Sequence, residues 1–194
     1  MRANPDDLDL SRVASKVIRS IGIKSGQSVL DFGCGSGIYA IPVARVVGNR
    51  GKVYALDKNR EVLDNVMKSA DSAGLDNIRK LDTPGGTQIA LANDSVDVVL
   101  LFDVFHDYYF SSAGERQDLL VEIRRILKKG GILSVYPKHM ETEAKAEIES
   151  AGFSLENQLT INLVHDKTDI ERGRIMNFKK ELAIDNRVGC EKLG

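Results

Sequence analysis

The chain has 194 residues, a length typical of one folded domain, and we expect a single domain over residues 1–184 and a mobile tail over 185–194. Its 27 Lys and Arg against 28 Asp and Glu leave almost no net charge, which argues against a protein that coats nucleic acid or an anionic membrane through a strong positive field. The longest apolar run, residues 96–105, contains two aspartates and is too short to cross a bilayer.

The two cysteines, Cys34 and Cys190, match neither a disulfide framework nor the spacing of zinc ligands. The first residues are polar and acidic, so we expect no cleavable targeting segment. These features predict a protein of the reducing cytoplasm with no membrane span, no bound metal and no strong nucleic-acid signal.

The pattern of apolar residues predicts helices that alternate with short strands. In chain order the predicted elements are a helix over 5–21, a strand over 28–32, a helix ending near 47, a strand over 52–56, a helix around 62–70, strands over 78–81 and 96–102, a helix from Ser111 or Ser112 to about 127, a strand over 132–136, a helix over 141–151, and strands over 153–164 and 174–181. Glycines that follow the predicted helices, such as Gly74 and Gly130, are typical of helix ends.

This order of elements predicts an α/β fold. The repeated βα units favour a doubly wound, mostly parallel sheet, and the last two strands, joined without a helix, form an antiparallel terminal hairpin. The exposed edge of this hairpin is a candidate surface for pairing two copies into a homodimer. Ligands bind such sheets at the carboxyl ends of the strands, so we expect the functional residues just after Phe32, Leu56, Leu81 and Phe102.

The first turn of the sheet carries the most specific motif. Residues 31–37 read Asp-Phe-Gly-Cys-Gly-Ser-Gly, and three glycines so close together let the backbone approach a ligand. A dinucleotide fingerprint would require a further glycine where Ile38 stands. Asp31 would also repel a pyrophosphate and attract a cationic amino group.

Asp57 ends the second predicted strand, about 20 residues beyond the last glycine, where nucleotide-binding sheets place an acid that accepts hydrogen bonds from ribose hydroxyls. The alternative is that Asp57 only caps the following helix. Taken with Asp31, it indicates a ligand that contains adenosine and carries a positive charge instead of a polyphosphate.

The motifs resemble those of the class I S-adenosylmethionine-dependent methyltransferases. Residues 31–37 are similar to the first motif of that family, Asp57 to its ribose acid, and residues 82–83 lie near its adenine-contacting position. Residues 95–106 resemble its fourth strand and exit, and residues 127–131 the turn before its fifth strand.

The resemblance covers about residues 25–183, and residues 95–106 are most similar to the small-molecule group that includes ubiquinone/menaquinone and arsenite methyltransferases. It implies a seven-stranded Rossmann-like sheet of order 3-2-1-4-5-7-6, with S-adenosylmethionine as cofactor and S-adenosylhomocysteine as product. The cofactor-binding residues that it implies are Asp31, Gly33, Cys34, Gly35, Ser36, Gly37, Asp57, Lys58, Asp82, Thr83 and Phe102.

The exit from the fourth strand contains the catalytic candidates, His106 and Asp103. A histidine at the mouth of a site can take a proton from a nucleophile near neutral pH, although a histidine in an apolar turn often has no chemical role. His139 is a second candidate, and His165, near the hairpin turn, is expected at the surface. Asp103 with Asp107 could hold a divalent ion, as in some catechol methyltransferases, but no pattern in the sequence requires one.

The expected function is methyl transfer from S-adenosylmethionine to a small-molecule acceptor by direct in-line displacement. Two alternatives stay open: a methyltransferase of RNA or protein that needs a partner subunit, and a non-catalytic module that only binds S-adenosylmethionine. The short insertions predict an open, shallow acceptor pocket.

Overall fold

The computed structural model describes residues 5–81, 83, 86–165 and 169–181, with side chains described from Leu10 onward. The candidate residue Asp82 and the predicted tail over 185–194 lie outside the described residues. The elements are α1 (Pro5–Ile21), β1 (Ser28–Phe32), α2 (Ala40–Val47), β2 (Lys52–Leu56), α3 (Arg60–Ser72), β3 (Ile78–Leu81), β4 (Val96–Phe102), α4 (Ala113–Ile126), β5 (Leu127–Tyr136), α5 (Glu141–Ser150), β6 (Phe153–His165) and β7 (Asp169–Lys180).

The seven strands form one sheet in the order β3-β2-β1-β4-β5-β7-β6. Neighbouring strands from β3 to β5 are parallel, whereas β7 runs antiparallel to both β5 and β6. This confirms the predicted fold class and strand order. The chain reverses its winding between β1 and β4, so the carboxyl ends of these two strands flank the crevice where such sheets bind ligands.

Two hydrophobic cores cover the faces of the sheet. Side chains of α1, α2 and α3 pack on one face, and those of α4 and α5 pack on the other. The side chains on one face of β4 are buried in the first core, and those on its other face are buried in the second, as expected for a central parallel strand. With both faces covered, the open space for a ligand lies at the ends of the strands.

Strand β5 begins at Leu127, five residues earlier than predicted, and α4 ends at Ile126. Leu127 pairs with Val96, and the register shifts before the next pair, Val98 with Ile132. Lys128 holds this irregular segment through a 2.8 Å contact between its Nζ and Asp97 Oδ2. The basic and glycine residues that predicted a helix end therefore form a bulged start to the strand.

The described part of the connection between β3 and β4, residue 83 and residues 86–95, forms no helix, in agreement with the predicted elements. Arg125 on α4 holds this connection with hydrogen bonds to the carbonyl oxygens of Leu91, at 2.7 Å, and Ile89, at 2.9 Å. Ile89 is buried in the core beneath α4. Hydrogen bonds from the Arg125 side chain, instead of a helix, therefore hold this connection at the edge of the sheet where we expect a ligand.

Within the described residues, no helix is long and apolar enough to cross a membrane.

Candidate functional site

The glycine loop after β1 is packed too tightly for other residues. The amide groups of Gly33 and Cys34 both donate to the carbonyl oxygen of Leu56, at 2.8 and 3.0 Å. Gly33 has a φ of 74°, and a Cβ atom there would lie 2.4 Å from Val104 Cγ1. Because the loop is held against β2 on one side and the exit from β4 on the other, only glycine fits at this position.

Asp57 lies directly against this loop. Its Oδ2 accepts a hydrogen bond from the Gly35 amide at 3.0 Å, and its Oδ1 accepts from the Asn59 amide at 2.9 Å. The side chain of Asn59, not that of Asp57, caps α3, since its Oδ1 accepts from the amide of Glu61 at 3.0 Å. The structure therefore brings Asp57 and the glycine loop together and removes the alternative that Asp57 is the cap.

Asp31 is a buried carboxyl group with one oxygen that lacks a partner. It is 3 % exposed, and Oδ2 makes no hydrogen bond with a described residue. Burial, followed by the nearby charge of Asp57, raises the pKa of Asp31 to about 7, against the effect of a hydrogen bond from the Ala40 amide. A buried carboxylate without full hydrogen bonding is costly unless a positive charge compensates for it.

A cavity of about 530 Å³ opens at the carboxyl ends of β1 and β2. Its lining residues come from the glycine loop, the end of β2, the β3–β4 connection and the segment before and within α4: Phe32, Gly33, Gly35, Leu56, Asp57, Lys58, Thr83, Gly86, Thr87, Val104, Tyr109, Phe110, Ser111, Glu115 and Asp118. Lys58 Nζ lies 5.0 Å from the centre of the Tyr109 ring. This contact closes one side of the cavity.

The remaining candidate residues of the loop and of β4 differ in exposure. Ser36 is exposed, and Cys34 is buried. Burial and the charges of Asp31 and Asp57 raise the pKa of the Cys34 thiol, so it stays protonated and is a poor nucleophile. Phe102 is buried, and its ring packs edge-on against Tyr39 at 4.8 Å.

A second group of polar side chains lies where β4, β5, β6 and β7 meet at the same edge of the sheet. We call it the Asp103 cluster: Asp103, His106, Tyr136, Lys138, His165 and Glu171. Asp103 Oδ2 lies 2.7 Å from His165 Nδ1, and Asp103 Oδ1 lies 3.7 Å from His106 Nε2. Glu171 accepts a hydrogen bond from the Tyr136 hydroxyl at 2.5 Å and lies 3.3 Å from Lys138 Nζ.

The position of His165 corrects the prediction that it lies at the surface. Its side chain is only 15 % exposed and contacts Asp103, which is 62 residues earlier in the chain. The one signal in the sequence was that His165 directly follows a strand predicted over residues 153–164. His139, by contrast, is exposed.

Asp107 does not join Asp103. It pairs with the buried Arg116, whose guanidinium also donates two 2.8 Å hydrogen bonds to Glu147 on α5. Arg116 therefore links α4 to α5, and Asp107, which precedes α4, binds the same guanidinium. Among the residues that the structure describes, no group of three or more His, Cys, Asp or Glu side chains is arranged to hold a metal ion.

Comparison with known proteins identifies the family. The sequence model of the family described as "Methyltransferase domain" matches residues 23–180. The chain belongs to this methyltransferase family. This confirms the predicted enzyme class, S-adenosylmethionine-dependent methyltransferase, and with it the cofactor S-adenosylmethionine and the product S-adenosylhomocysteine.

Two curated relatives of this methyltransferase illustrate the range of the family. A probable cobalt-precorrin-6B C(15)-methyltransferase (decarboxylating) of Saccharolobus solfataricus is 25% identical over 145 residues, 73% of this chain and 68% of that protein. A demethylmenaquinone methyltransferase of Geobacillus stearothermophilus is 29% identical over 116 residues, 60% of this chain and 47% of that protein. The chain thus spans two thirds of the first relative and about half of the second.

A solved structure shows the same fold. A SAM-dependent methyltransferase from Aquifex aeolicus superposes with a TM-score of 0.75 at 24% identity, over 91% of this chain and 94% of that one.

The residues of this methyltransferase fit the cofactor. The unpartnered, buried oxygen of Asp31 suits a ligand ammonium group, and the glycine loop forms a cradle that a Cβ atom at Gly33 would fill. S-adenosylmethionine carries both an ammonium group and a nucleoside that fits a cavity of this size.

Proposed function

We propose that the protein transfers the methyl group of S-adenosylmethionine to a small-molecule acceptor by direct in-line displacement. The observation that carries the proposal is the unpartnered Asp31 oxygen at the start of the glycine loop, whose residues Gly33 and Gly35 line a cavity of about 530 Å³. When bound, the cofactor supplies a methyl group already activated by its sulfonium. The protein therefore has to orient the two reactants and exclude water, and such positioning supplies up to roughly 7 to 11 kcal/mol in ideal cases.

In this proposal two carboxylates hold the polar parts of the cofactor. Asp31 holds the ammonium group, and the Asp57 carboxylate accepts hydrogen bonds from the ribose. The proposed set also contains the glycine-loop residues Gly33, Cys34, Gly35, Ser36 and Gly37, the cavity residues Lys58 and Thr83, Phe102 at the end of β4, and Asp82, which lies outside the described residues. Asp57 already binds the loop amide of Gly35, so the ribose and the loop share one carboxylate.

The small-molecule acceptor is supported by two facts. The relatives are named for cobalt-precorrin-6B and demethylmenaquinone. The near-zero net charge provides no field for a nucleic acid. An RNA or protein acceptor recruited by a partner subunit, and a module that binds the cofactor without transfer, are the outcomes that the experiments below distinguish. A homodimer through the exposed edge of β6 stays a prediction.

Calorimetry with Asp57→Asn tests the proposed site. Removing the charge weakens S-adenosylmethionine binding by about 10- to 100-fold, because hydrogen bonds to charged groups contribute about 1.5 to 3 kcal/mol. Asp64→Asn is the matched control, since Asp64 lies on α3 and pairs with Lys80 at 2.8 Å, away from the cavity. Wild-type protein that binds no S-adenosylmethionine, or two variants with equal affinities, would reject the site.

A transfer assay with radiolabelled S-adenosylmethionine tests the acceptor class. Incubation with phenols, amines, thiols, total RNA and a protein mixture should label only small molecules. Label in RNA or protein would support the partner-dependent alternative, and tight cofactor binding without any transfer would support the non-catalytic module.

A further inference from the structure

Lys58 and Tyr109 follow the two strands that flank β1 in the sheet. Lys58 is the second residue after β2, and Tyr109 lies in the segment between β4 and α4. The order β2-β1-β4 places these two exits on either side of the glycine loop. Because neighbouring strands are about 4.8 Å apart, the exits are separated by roughly 10 Å. A contact between the two side chains therefore has to span the width of β1 and of the loop that follows it.

The two side chains make this contact, and both line the cavity. The Nζ atom of Lys58 lies 5.0 Å from the centre of the Tyr109 ring, within the range of a cation–π interaction. Lys58 is exposed, and Tyr109 is 44 % exposed. At exposed sites such an interaction favours the paired state by roughly 2- to 5-fold, so the contact is made most of the time and still opens often.

The backbone that carries Tyr109 is fixed. The amides of Tyr109 and Phe110 both donate to the carbonyl oxygen of His106, at 3.1 and 3.2 Å, and form a turn. Phe110 is buried, and the centre of its ring lies 6.5 Å from that of the buried Phe105. Opening of the contact therefore requires rotation of the Lys58 and Tyr109 side chains and no movement of the segment.

Two further rings pack against Tyr109 at the end of this segment. The ring of Tyr108 lies 5.2 Å away in an edge-to-face arrangement, and that of His106 lies 5.0 Å away. These contacts restrict the orientation of the Tyr109 ring. The ring is thereby held where the Lys58 ammonium group can reach it.

We propose that Lys58 and Tyr109 form a latch across the cavity, and that S-adenosylmethionine enters and S-adenosylhomocysteine leaves only while this latch is open. The proposal rests on the proposed function, because it takes this cavity to be the cofactor site. It adds Tyr109 to the residues that act on the cofactor and gives Lys58 a second role. The latch limits the exchange of cofactor for product and takes no part in the transfer of the methyl group.

A latch affects binding kinetics differently from a direct contact with the ligand. A closed latch blocks both association and dissociation, so each rate constant is multiplied by the fraction of time that the latch is open. A contact favoured 2- to 5-fold is open about one third to one sixth of the time. Removal of the latch should therefore raise both rate constants about 3- to 6-fold. Loss of a direct contact would raise the dissociation rate constant alone.

The test measures the rate constants for S-adenosylhomocysteine on immobilised wild-type and variant proteins by surface plasmon resonance. This probe lacks the sulfonium, so the charge of Lys58 gives it little long-range attraction or repulsion. Tyr109→Leu and Lys58→Met should each raise the association rate constant about 3- to 6-fold. The double variant should raise it no further, because both changes remove the same contact.

Conservative variants and a second cation–π pair supply the controls. Tyr109→Phe keeps the aromatic ring and Lys58→Arg keeps the cation, so both should associate within about 2-fold of the wild type. Lys52→Met is the matched control, since Lys52 Nζ lies 6.0 Å from the centre of the Tyr54 ring and Lys52 begins β2, at the end remote from the cavity. It should change neither rate constant more than about 2-fold.

The outcomes separate the latch from the proposed function. Unchanged association in both Tyr109→Leu and Lys58→Met, or faster dissociation alone, would overturn the latch and leave the proposed function intact. Faster association in Lys58→Met but not in Tyr109→Leu would assign the effect to charge and would also overturn it. If Tyr109→Leu does not fold by circular dichroism, the comparison of Lys58→Met with Lys58→Arg decides. Wild-type protein that binds neither S-adenosylmethionine nor S-adenosylhomocysteine would instead reject the proposed function.

Discussion

At the scale of single residues, Asp31 has the environment least suited to its own charge. It is buried at the end of β1, with Asp57 nearby and one oxygen without a described partner. Folded protein therefore holds a proton on Asp31 up to a pH of about 7, whereas the carboxyl of an unfolded chain releases it near 3.8. Above a pH of about 7 the buried charge of Asp31 therefore destabilises the ligand-free protein, an arrangement common at binding sites.

The pH dependence of stability follows from the sign of this shift. A raised pKa means that the stability contribution of Asp31 is fully present below a pH of about 4 and is lost as the pH rises to about 7. We predict that Asp31→Asn removes this loss, so that ligand-free Asp31→Asn resists urea better than the wild type at about pH 8, by roughly 1 to 4 kcal/mol. Equal unfolding free energies at that pH would contradict the raised pKa.

Asp31→Asn should also bind the cofactor less tightly than the wild type, and this difference in affinity should grow as the pH rises. Above a pH of about 7 the wild-type carboxylate is ionised and attracts the ammonium group, so Asp31→Asn should lose about 10- to 100-fold in S-adenosylmethionine affinity. At about pH 5.5 Asp31 is protonated, and the ratio of the two dissociation constants, measured by calorimetry, should fall toward one. A ratio that does not change with pH would exclude an ionic contact.

At the scale of elements, the terminal hairpin of β6 and β7 contributes side chains to the Asp103 cluster and does not only close the sheet. It supplies His165 and Glu171, and Tyr39 fastens it to the start of α2. Residue Gly173 of β7 leaves space for the Tyr136 ring, because a Cβ atom there would lie 2.6 Å from that ring. Tyr136 can therefore lie across β7 with its hydroxyl on Glu171.

We predict that Tyr39→Phe lowers the unfolding free energy by about 2 to 4 kcal/mol, because it leaves both backbone groups of Val164 buried without partners. Urea unfolding followed by circular dichroism measures the change. Tyr54→Phe is the matched control on half-buried Tyr54, and its expected effect is below about 0.5 kcal/mol. Similar losses in the two variants would argue against this fastening role.

At the scale of the whole molecule, the cavity lies between segments that lead into helices on opposite faces of the sheet. The glycine loop leads into α2, on one face of the sheet, and the cavity is lined by residues before and within α4, on the other. A cofactor bound in this cavity would therefore contact both layers as well as the strand ends, and its binding energy would add to the stability of the entire fold.

We predict that S-adenosylhomocysteine stabilises the wild-type protein by about 2.7 kcal/mol at 100 times its dissociation constant. Hydrogen exchange should slow most at the amides of residues 33–37 and 57–59, next to the cavity, and least along the exposed edge of β6. Protection confined to the hairpin, with none at the glycine loop, would show that the ligand binds elsewhere.

The sequence alone predicted the bounds of β1 to β4. Strands β1, β2 and β4 are short, largely apolar runs bordered by glycine or polar residues, and β3 has apolar residues at both ends. It also predicted the glycine loop and Asp57, since their chemistry is encoded in spacing along one βαβ unit. These features depend on residues that are close together in the sequence, so they can be predicted without the tertiary structure.

Only the tertiary structure decided the early start of β5 and the place of His165. Lys128 to Gly131 are compatible with a helix end, and pairing of Leu127 with Val96 makes them a strand. The only local signal for His165 is its place next to a predicted strand, and its position in the fold depends on the register of β6 and on Tyr39, more than 120 residues away. Contacts that bring distant strands together depend on sheet order and register, and no local pattern of residues contains that information.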